Sequence, residues 1–409
     1  MPTSVRAWWS RPGLDVRDDR LHIAGRDAES LAREHGTPLY AYDLQRVAEQ
    51  AESLRDGMTV AGLAGVVRLA LKAQREPALL SFLRAEVPFV QMDVCSPGEV
   101  EWAIQHGWEP QEISYTGTNV SGRDLERITS AGVHLNVDLL TQLERVGRTS
   151  PGSTVGIRVN PRIGASWAGA GETLYTGERP TKFGIFAEQL PDAVEIAGRG
   201  GLTIDTVHFH VGDGYLSDGL PVFEETVRRV AEMVRTLQRA GCPIREVNTG
   251  GGLGVPQRPG DRPLDVRAWA AILARHLGAL DVAVSTEPGD FLVKECGVAL
   301  AEVVSVEIRE GVRFVGLDIG WNVMGEHFVY DSVLDLVLCR DVEADVTDAA
   351  TIAGNINEGD DVFAQDYPLP QVHEGDIVAA IGVGSYNASM TSVHCLREPA
   401  RAMAFGDRR

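Results

Sequence analysis

Between residues 37 and 290, short apolar β-branched runs alternate with amphipathic stretches. The runs are GVVRLALKA, PFVQMDV, EISYTG, VHLNVD, VGIRVNP, IDTVHFHVG, IREVNTGGG and VAVSTEPG. The first seven each lead to a segment with helical character. In VFEETVRRVAEMVRTLQRAG, Val227, Val230, Val234 and Leu237 recur on one helical face and Gly241 is a natural stop. Strands alternating with helices make an α/β protein. A doubly wound open sheet and a closed (β/α)8 barrel both fit that alternation. The count of eight strands and the span of roughly 250 residues favour the barrel.

Past about residue 291 the pattern changes. VALAEVVSVEIREGVRFVGLDIG, HFVYDSVLDLVLCRDV, TIAGNI and DIVAAIG read as strands with few helical stretches between them. The expectation is a barrel over 37–290 and a β domain, sandwich or barrel, over 291–409. That second domain also takes in residues 1–36, where LDVRDDRLHIAG reads as a strand pairing with it.

The formal charge of −20 argues against nucleic acid or an anionic membrane surface as the main partner. No run reaches membrane-spanning length. The opening MPTSVRAWWSRPG has no apolar stretch of signal-peptide type. Five scattered cysteines with no CxxC pair fit a reducing cytoplasm and give no metal framework.

The unusual residues fall at strand ends, where barrels of this kind place their chemistry. Lys72 closes the first run; Asp93 and Glu99 flank the end of the second; Arg158 ends the fifth; His208 and His210 end the sixth; Glu287 ends the eighth. The seventh ends in Gly250, Gly251 and Gly252. Bare successive N–H groups make an anion-binding concavity that suits phosphate. GGGLG lacks the dinucleotide spacing and there is no Walker lysine. A lysine, a histidine and a carboxylate around a phosphate suggest pyridoxal 5′-phosphate, with lysine as covalent anchor and an acid against the pyridinium nitrogen.

From about residue 30 to 400 the chain resembles the fold-type III pyridoxal-phosphate decarboxylases, the diaminopimelate, ornithine and related amino-acid decarboxylases. The likeness is carried by LALKAQ, DVCSPGE, KFGI, HFHVGDG, NTGGGLG, STEPGD, NEGDDVFAQDYPLP and GSYNASM, in family order. The resemblance implies that Lys72 binds the cofactor covalently, His210 stacks on its ring and Glu287 holds the ring nitrogen. Asp93, Asp213, Gly250, Gly251 and Gly252 would line the cofactor site, with the glycines around the phosphate. Arg158 would orient groups near the ring, and Tyr386 would reach the cofactor from the β domain. The segment from Asn357 through Glu358 to Asp361 would enter a neighbouring subunit's site, so the resemblance implies a homodimer with shared active sites.

Four departures stand out. The family normally has Ser at Asp213, Arg at Asp290, an arginine at Glu326 and a cysteine at Asn357, where an amide is a poor proton donor. Leu69 and Gln74 replace the usual Tyr and Asn around the lysine. Arginines at Asp290 and Glu326 would grip a distal carboxylate, and acids repel one. The expectation is therefore a decarboxylase that acts not on diaminopimelate but on another amino-acid-type substrate, an amino acid with a cationic or neutral side chain or, if these acids are solvated, an amino-acid-derived biosynthetic intermediate. A catalytically silent homologue acting through its dimer face, or another reaction such as racemisation on the same barrel, are the alternatives.

Overall fold

The computed structural model describes residues 7–166 and 180–407. All eight runs are strands: β1 Gly65–Ala70, β2 Val90–Val94, β3 Ile113–Gly117, β4 His134–Val137, β5 Thr154–Arg158, β6 Thr203–His208, β7 Glu246–Asn248 and β8 Ala283–Thr286. They close into one parallel barrel, sealed where Val284 of β8 pairs with Gly65 and Thr286 with Val67 of β1. Helices cover the outside. The four apolar residues expected on one face of Leu220–Arg239 (Val227, Val230, Val234 and Leu237) are fully buried. Glu99 proves to be a helix cap: its carboxylate accepts from the Cys95 amide, while Ser96 Oγ accepts from the Glu99 amide.

The barrel interior is partly polar. Arg68 of β1 donates to Glu246 of β7 at 2.6 Å, and Ser285 of β8 donates to the same carboxylate at 2.5 Å. Asn136 of β4 donates to Ser114 of β3 at 2.9 Å. Such groups persist in a core only when they are paired.

The second sheet is built on the long strand Gly297–Arg309. Its first half pairs with Ile377–Ile381 and, on the other side, with Leu39–Asp43. After an irregularity between Val303 and Ser305, its second half pairs with Val312–Leu317. The C-terminal strand Arg401–Phe405 runs parallel to Leu39–Asp43. Two readings of the sequence are corrected here. Leu39–Asp43, assigned to the barrel, hydrogen-bonds into the second sheet. The segment containing LDVRDDRLHIAG does not add a strand to that sheet. It folds back on itself as a hairpin, Leu14–Arg17 with Arg20–Ile23, and continues into Arg26–Asp27. Asp18 and Asp19 both take positive φ, as a two-residue hairpin turn demands. Its apolar residues Leu14, Leu21 and Ile23 pack with Val298, Leu300 and Ile377 of the second sheet, and two backbone hydrogen bonds, from Leu21 to the Cys339 carbonyl at 2.9 Å and from Val342 to the Asp19 carbonyl at 2.7 Å, tie it to the segment after Leu338. The glycine-rich insertion after β5 falls largely on residues 167–179, outside the described residues.

Candidate active site

The C-terminal ends of the strands open on a cavity of about 340 Å³. Lys72, Asp93, Arg158, His210, Asp213, Gly251, Gly252, Glu287, Asp290, Glu326 and Tyr386 all line it. These residues span more than three hundred positions in sequence; the barrel gathers most of them because parallel strands end on the same rim, and the second domain adds Glu326 and Tyr386.

Lys72 lies two residues past β1 in a tight turn, with the Ala73 amide bonded to the Ala70 carbonyl at 2.9 Å. The second sheet braces that turn: the Tyr386 amide donates to the Ala73 carbonyl at 2.8 Å. Gln74 is buried and donates to the Gly384 carbonyl at 2.9 Å, so it joins the two units rather than facing the cavity.

Glu287 follows β8 and is buried. Its carboxylate receives His208 Nε2 at 2.9 Å and Asn248 Nδ2 at 2.5 Å, with Ser114 Oγ at 3.5 Å. Burial alone would raise its pKa, but the charge and hydrogen bond of His208, with Arg68 and Asn248, hold it below the usual carboxylate value. Asp93 is driven the other way, upward, by burial and then by Glu287, against the opposing pull of Lys72. Two neighbouring carboxyl groups are thus pushed in opposite directions, Glu287 towards the ionised form and Asp93 towards the protonated one. Among the described residues, Asp93 Oδ1 and His208 Nδ1 are buried without a partner.

His210 is kept neutral chiefly by burial, then by the nearby cations Arg158 and Lys72. Its Nδ1 accepts from the Gly251 amide at 3.2 Å, which leaves the proton on Nε2. Arg158 Nε sits 3.7 Å from Asp138, and its guanidinium lies over the Phe183 ring at 4.3 Å. Phe183 belongs to the KFGI segment.

The glycine triplet answers to backbone crowding first. A Cβ at Gly250 would strike the Phe209 carbonyl, one at Gly251 would lie 2.5 Å from the Glu287 carbonyl oxygen, and one at Gly252 2.6 Å from that of Gly212. Two of the three amides are already used, Gly250 by Asn248 Oδ1 at 2.9 Å and Gly251 by His210. The expected cradle of three amides is therefore corrected. Gly250 is not among the cavity walls, which take in Gly251 and Gly252 together with Gly212–Gly214.

The segment 357–361 contributes nothing to the cavity of its own chain. Asn357 and Glu358 are exposed, with Glu358 3.0 Å from His394 Nε2. Asp361 is corrected from a substrate contact to a structural residue: it is buried, and its carboxylate accepts from the amides of Trp321 at 2.9 Å and Ile356 at 2.7 Å.

Three residues of this neighbourhood, Ser114, Asn248 and Lys294, were not singled out from sequence. Ser114 and Asn248 carry no signal of their own. His208 was marked at its strand end, and it shares strand parity with His210, so both side chains point to the same side of the strand. Lys294 is a lone cation in FLVKECGVAL, and a lysine in such a run needs a partner. It finds Glu326 at 2.5 Å and Asp290 at 3.8 Å.

An amine at the barrel mouth, an ionised buried carboxylate, a neutral imidazole and a glycine-walled end fit pyridoxal phosphate, and the fold and site define a pyridoxal-phosphate-dependent barrel enzyme. Residues 44–294 match the family described as pyridoxal-dependent decarboxylase, pyridoxal binding domain. The chain is 32% identical to the diaminopimelate decarboxylase of Methanothermobacter thermautotrophicus, over 96% of this chain and 92% of that one. It is 33% identical to that of Streptomyces coelicolor, over 91% and 85%. The diaminopimelate decarboxylase of M. jannaschii in complex with L-lysine superposes with a TM-score of 0.85 at 26% identity, covering 96% and 92% of the two chains. This chain belongs to the pyridoxal-dependent decarboxylase family and is a pyridoxal-phosphate-dependent carboxy-lyase.

These relatives overturn the expectation that diaminopimelate is not the substrate. The structure supplies a reason why the charge argument failed. Asp290 and Glu326 are not two bare anions facing the cavity. Glu326 is engaged by Lys294 and Asn387, and Asp290 by Ser385 at 2.6 Å. Among the described residues no helix is long and apolar enough to cross a membrane.

Proposed function

We propose that this protein removes one carboxylate of diaminopimelate as CO2, with lysine as the other product. Likeness to enzymes of that name along nearly the whole chain supports the reading, together with a cavity walled by Lys72, His210, Glu287 and Tyr386. Bound pyridoxal phosphate supplies the electron sink for the pair left on the α-carbon when CO2 departs. The chain's residues serve that step. Lys72 is the amine for covalent attachment. Glu287, held anionic by His208 and Asn248, would keep a proton on the ring nitrogen. His210, fixed as the Nε2–H tautomer, offers a neutral face to the ring, and a protonated Asp93 can donate a hydrogen bond beside it.

The proposal extends to a homodimer in which Asn357 and Glu358 reach the partner's cavity. Their exposure, and their absence from the cavity of their own chain, support it. We also place the enzyme in the cytoplasm, since all five cysteines are free.

The test is kcat/KM for diaminopimelate, lysine, ornithine, arginine and glutamate, followed by CO2 release. Diaminopimelate is expected to lead; a better rate on any other member would refute the substrate. For the shared site, mixing Lys72→Ala with Glu358→Ala protomers should restore activity that neither has alone. Sedimentation as a fully active monomer would refute the dimer.

A further inference from the structure

The loop after β6 carries Gly212, Asp213 and Gly214 into the cavity wall. Its backbone leans directly on the glycine loop after β7. A Cβ on Gly252 would stand 2.6 Å from the Gly212 carbonyl oxygen, and one on Gly254 would strike that of Gly214. Tyr215 and Leu253 close the contact as a parallel bridge, with the Tyr215 amide on the Gly252 carbonyl at 3.0 Å. On its other side Asp213 pairs in register with Ser166, whose hydroxyl donates to Asp213 Oδ1 at 3.1 Å. Asp213 is thus held from both sides and cannot leave the wall without breaking these contacts.

A phosphate would lie at the glycine loop after β7, because barrels of this kind bind phosphate in the loops after the seventh and eighth strands, and Gly212–Gly214 packs directly against that loop. Among the described residues packed against Asp213, the strand Ala165–Ser166 and the glycine loop present no charge, and the loop after β8 presents Asp290. A phosphate dianion offers only acceptors, and an ionised carboxylate offers only acceptors. They can share this wall only if one proton lies between them. Burial first, and then Asp290, already push the Asp213 carboxyl upward, while the Ser166 hydrogen bond opposes this.

We propose that Asp213 takes up a proton when the cofactor binds and donates it, as an O–H hydrogen bond, to a phosphate oxygen. The inference rests on the cofactor and is independent of the substrate. Binding then consumes a proton, so cofactor affinity falls as pH rises. One proton per site corresponds to about tenfold for each pH unit above the range in which free Asp213 is protonated.

The test is calorimetric titration of the cofactor-free protein with pyridoxal phosphate in buffers of different ionisation enthalpy, which counts protons, with phosphorus NMR of the bound cofactor. Proton changes at Lys72 are common to all variants and cancel in the comparison. Asp213→Asn and Asp213→Ser should each take up one proton fewer than the native protein and lose the extra pH slope, while Asp290→Asn keeps both. The bound phosphate should read as a dianion throughout. Equal proton uptake in native and Asp213→Asn protein would overturn the proposal. So would a monoanionic phosphorus signal in the native protein, which would put the proton on the cofactor, or loss of the uptake only in Asp290→Asn.

Discussion

Lys294 Nζ and Glu326 Oε1 lie 2.5 Å apart, both buried, where the second sheet meets the barrel mouth. Burial raises the Glu326 carboxyl to about 7 from 4.5, with Lys294 opposing. An acid raised in the folded state stabilises the fold fully below its ordinary pKa and loses that contribution as pH rises through the raised one. The native protein should therefore lose stability between about pH 4.5 and 7, by no more than about 3 kcal/mol from this group. Urea unfolding at pH 5 and pH 7.5 should show that slope in native protein and a flatter one in Glu326→Gln. An unchanged slope in the variant would remove Glu326 from the account.

His208 acts through Glu287. Removing its Nε2, as in His208→Leu, should let the Glu287 pKa rise, because the main opposing charge and hydrogen bond go together. The acid limb of the kcat–pH profile should move upward, with KM for substrate little changed. Glu287→Gln should lower kcat by roughly 10²-fold or more, the scale of a lost proton-holding group. A His208→Leu profile that superposes on the native one would show that the pair is structural only.

Lys72→Ala should abolish turnover and leave no cofactor that borohydride can fix to the chain, since Lys72 is the amine that walls the cavity beside Asp93 and Cys95. Mass spectrometry of the reduced protein makes the check. Fixation to another lysine would displace Lys72 from this role.

Buried Arg68 and half-buried Glu246 form a pair at 2.6 Å inside the barrel. Arg68→Met strands the carboxylate and should cost about 1–3 kcal/mol, whereas Arg68→Met with Glu246→Leu should recover most of that loss. Chemical denaturation of the three proteins decides it; an additive double variant would mean that the two groups do not interact.

Gly251→Ala sets a Cβ 2.5 Å from the Glu287 carbonyl oxygen and should displace Glu287, costing about 1–3 kcal/mol and weakening cofactor binding. Gly359→Ala meets nothing within 4 Å and should stay within about 0.5 kcal/mol of native. Cofactor titration and unfolding of the pair separate a local clash from a general intolerance of alanine.

The barrel was legible because its signal is local. Each strand announces itself by apolar, β-branched runs and each helix by a 3.6-residue repeat, and eight such units leave few ways to close. The strand ends gave Lys72, Arg158, His210 and Glu287 for the same reason: a strand's end is a sequence position, and the barrel puts those ends together. What the sequence left open was pairing. Leu39–Asp43 reads as one more strand, and only its bonds to Gly297–Leu300 and Arg401–Phe405 say which sheet owns it. The glycine triplet looked like a row of free donors until Asn248 and His210 were found on two of them. Asp361 looked available until the amides of Trp321 and Ile356 were found on its carboxylate. Asp290 and Glu326 looked like exposed charge until Lys294 was found between them. The residue type fixes what a side chain can donate, accept or carry. Which partner takes it up depends on distances of about 3 Å between segments far apart in the chain, and tertiary packing alone sets those.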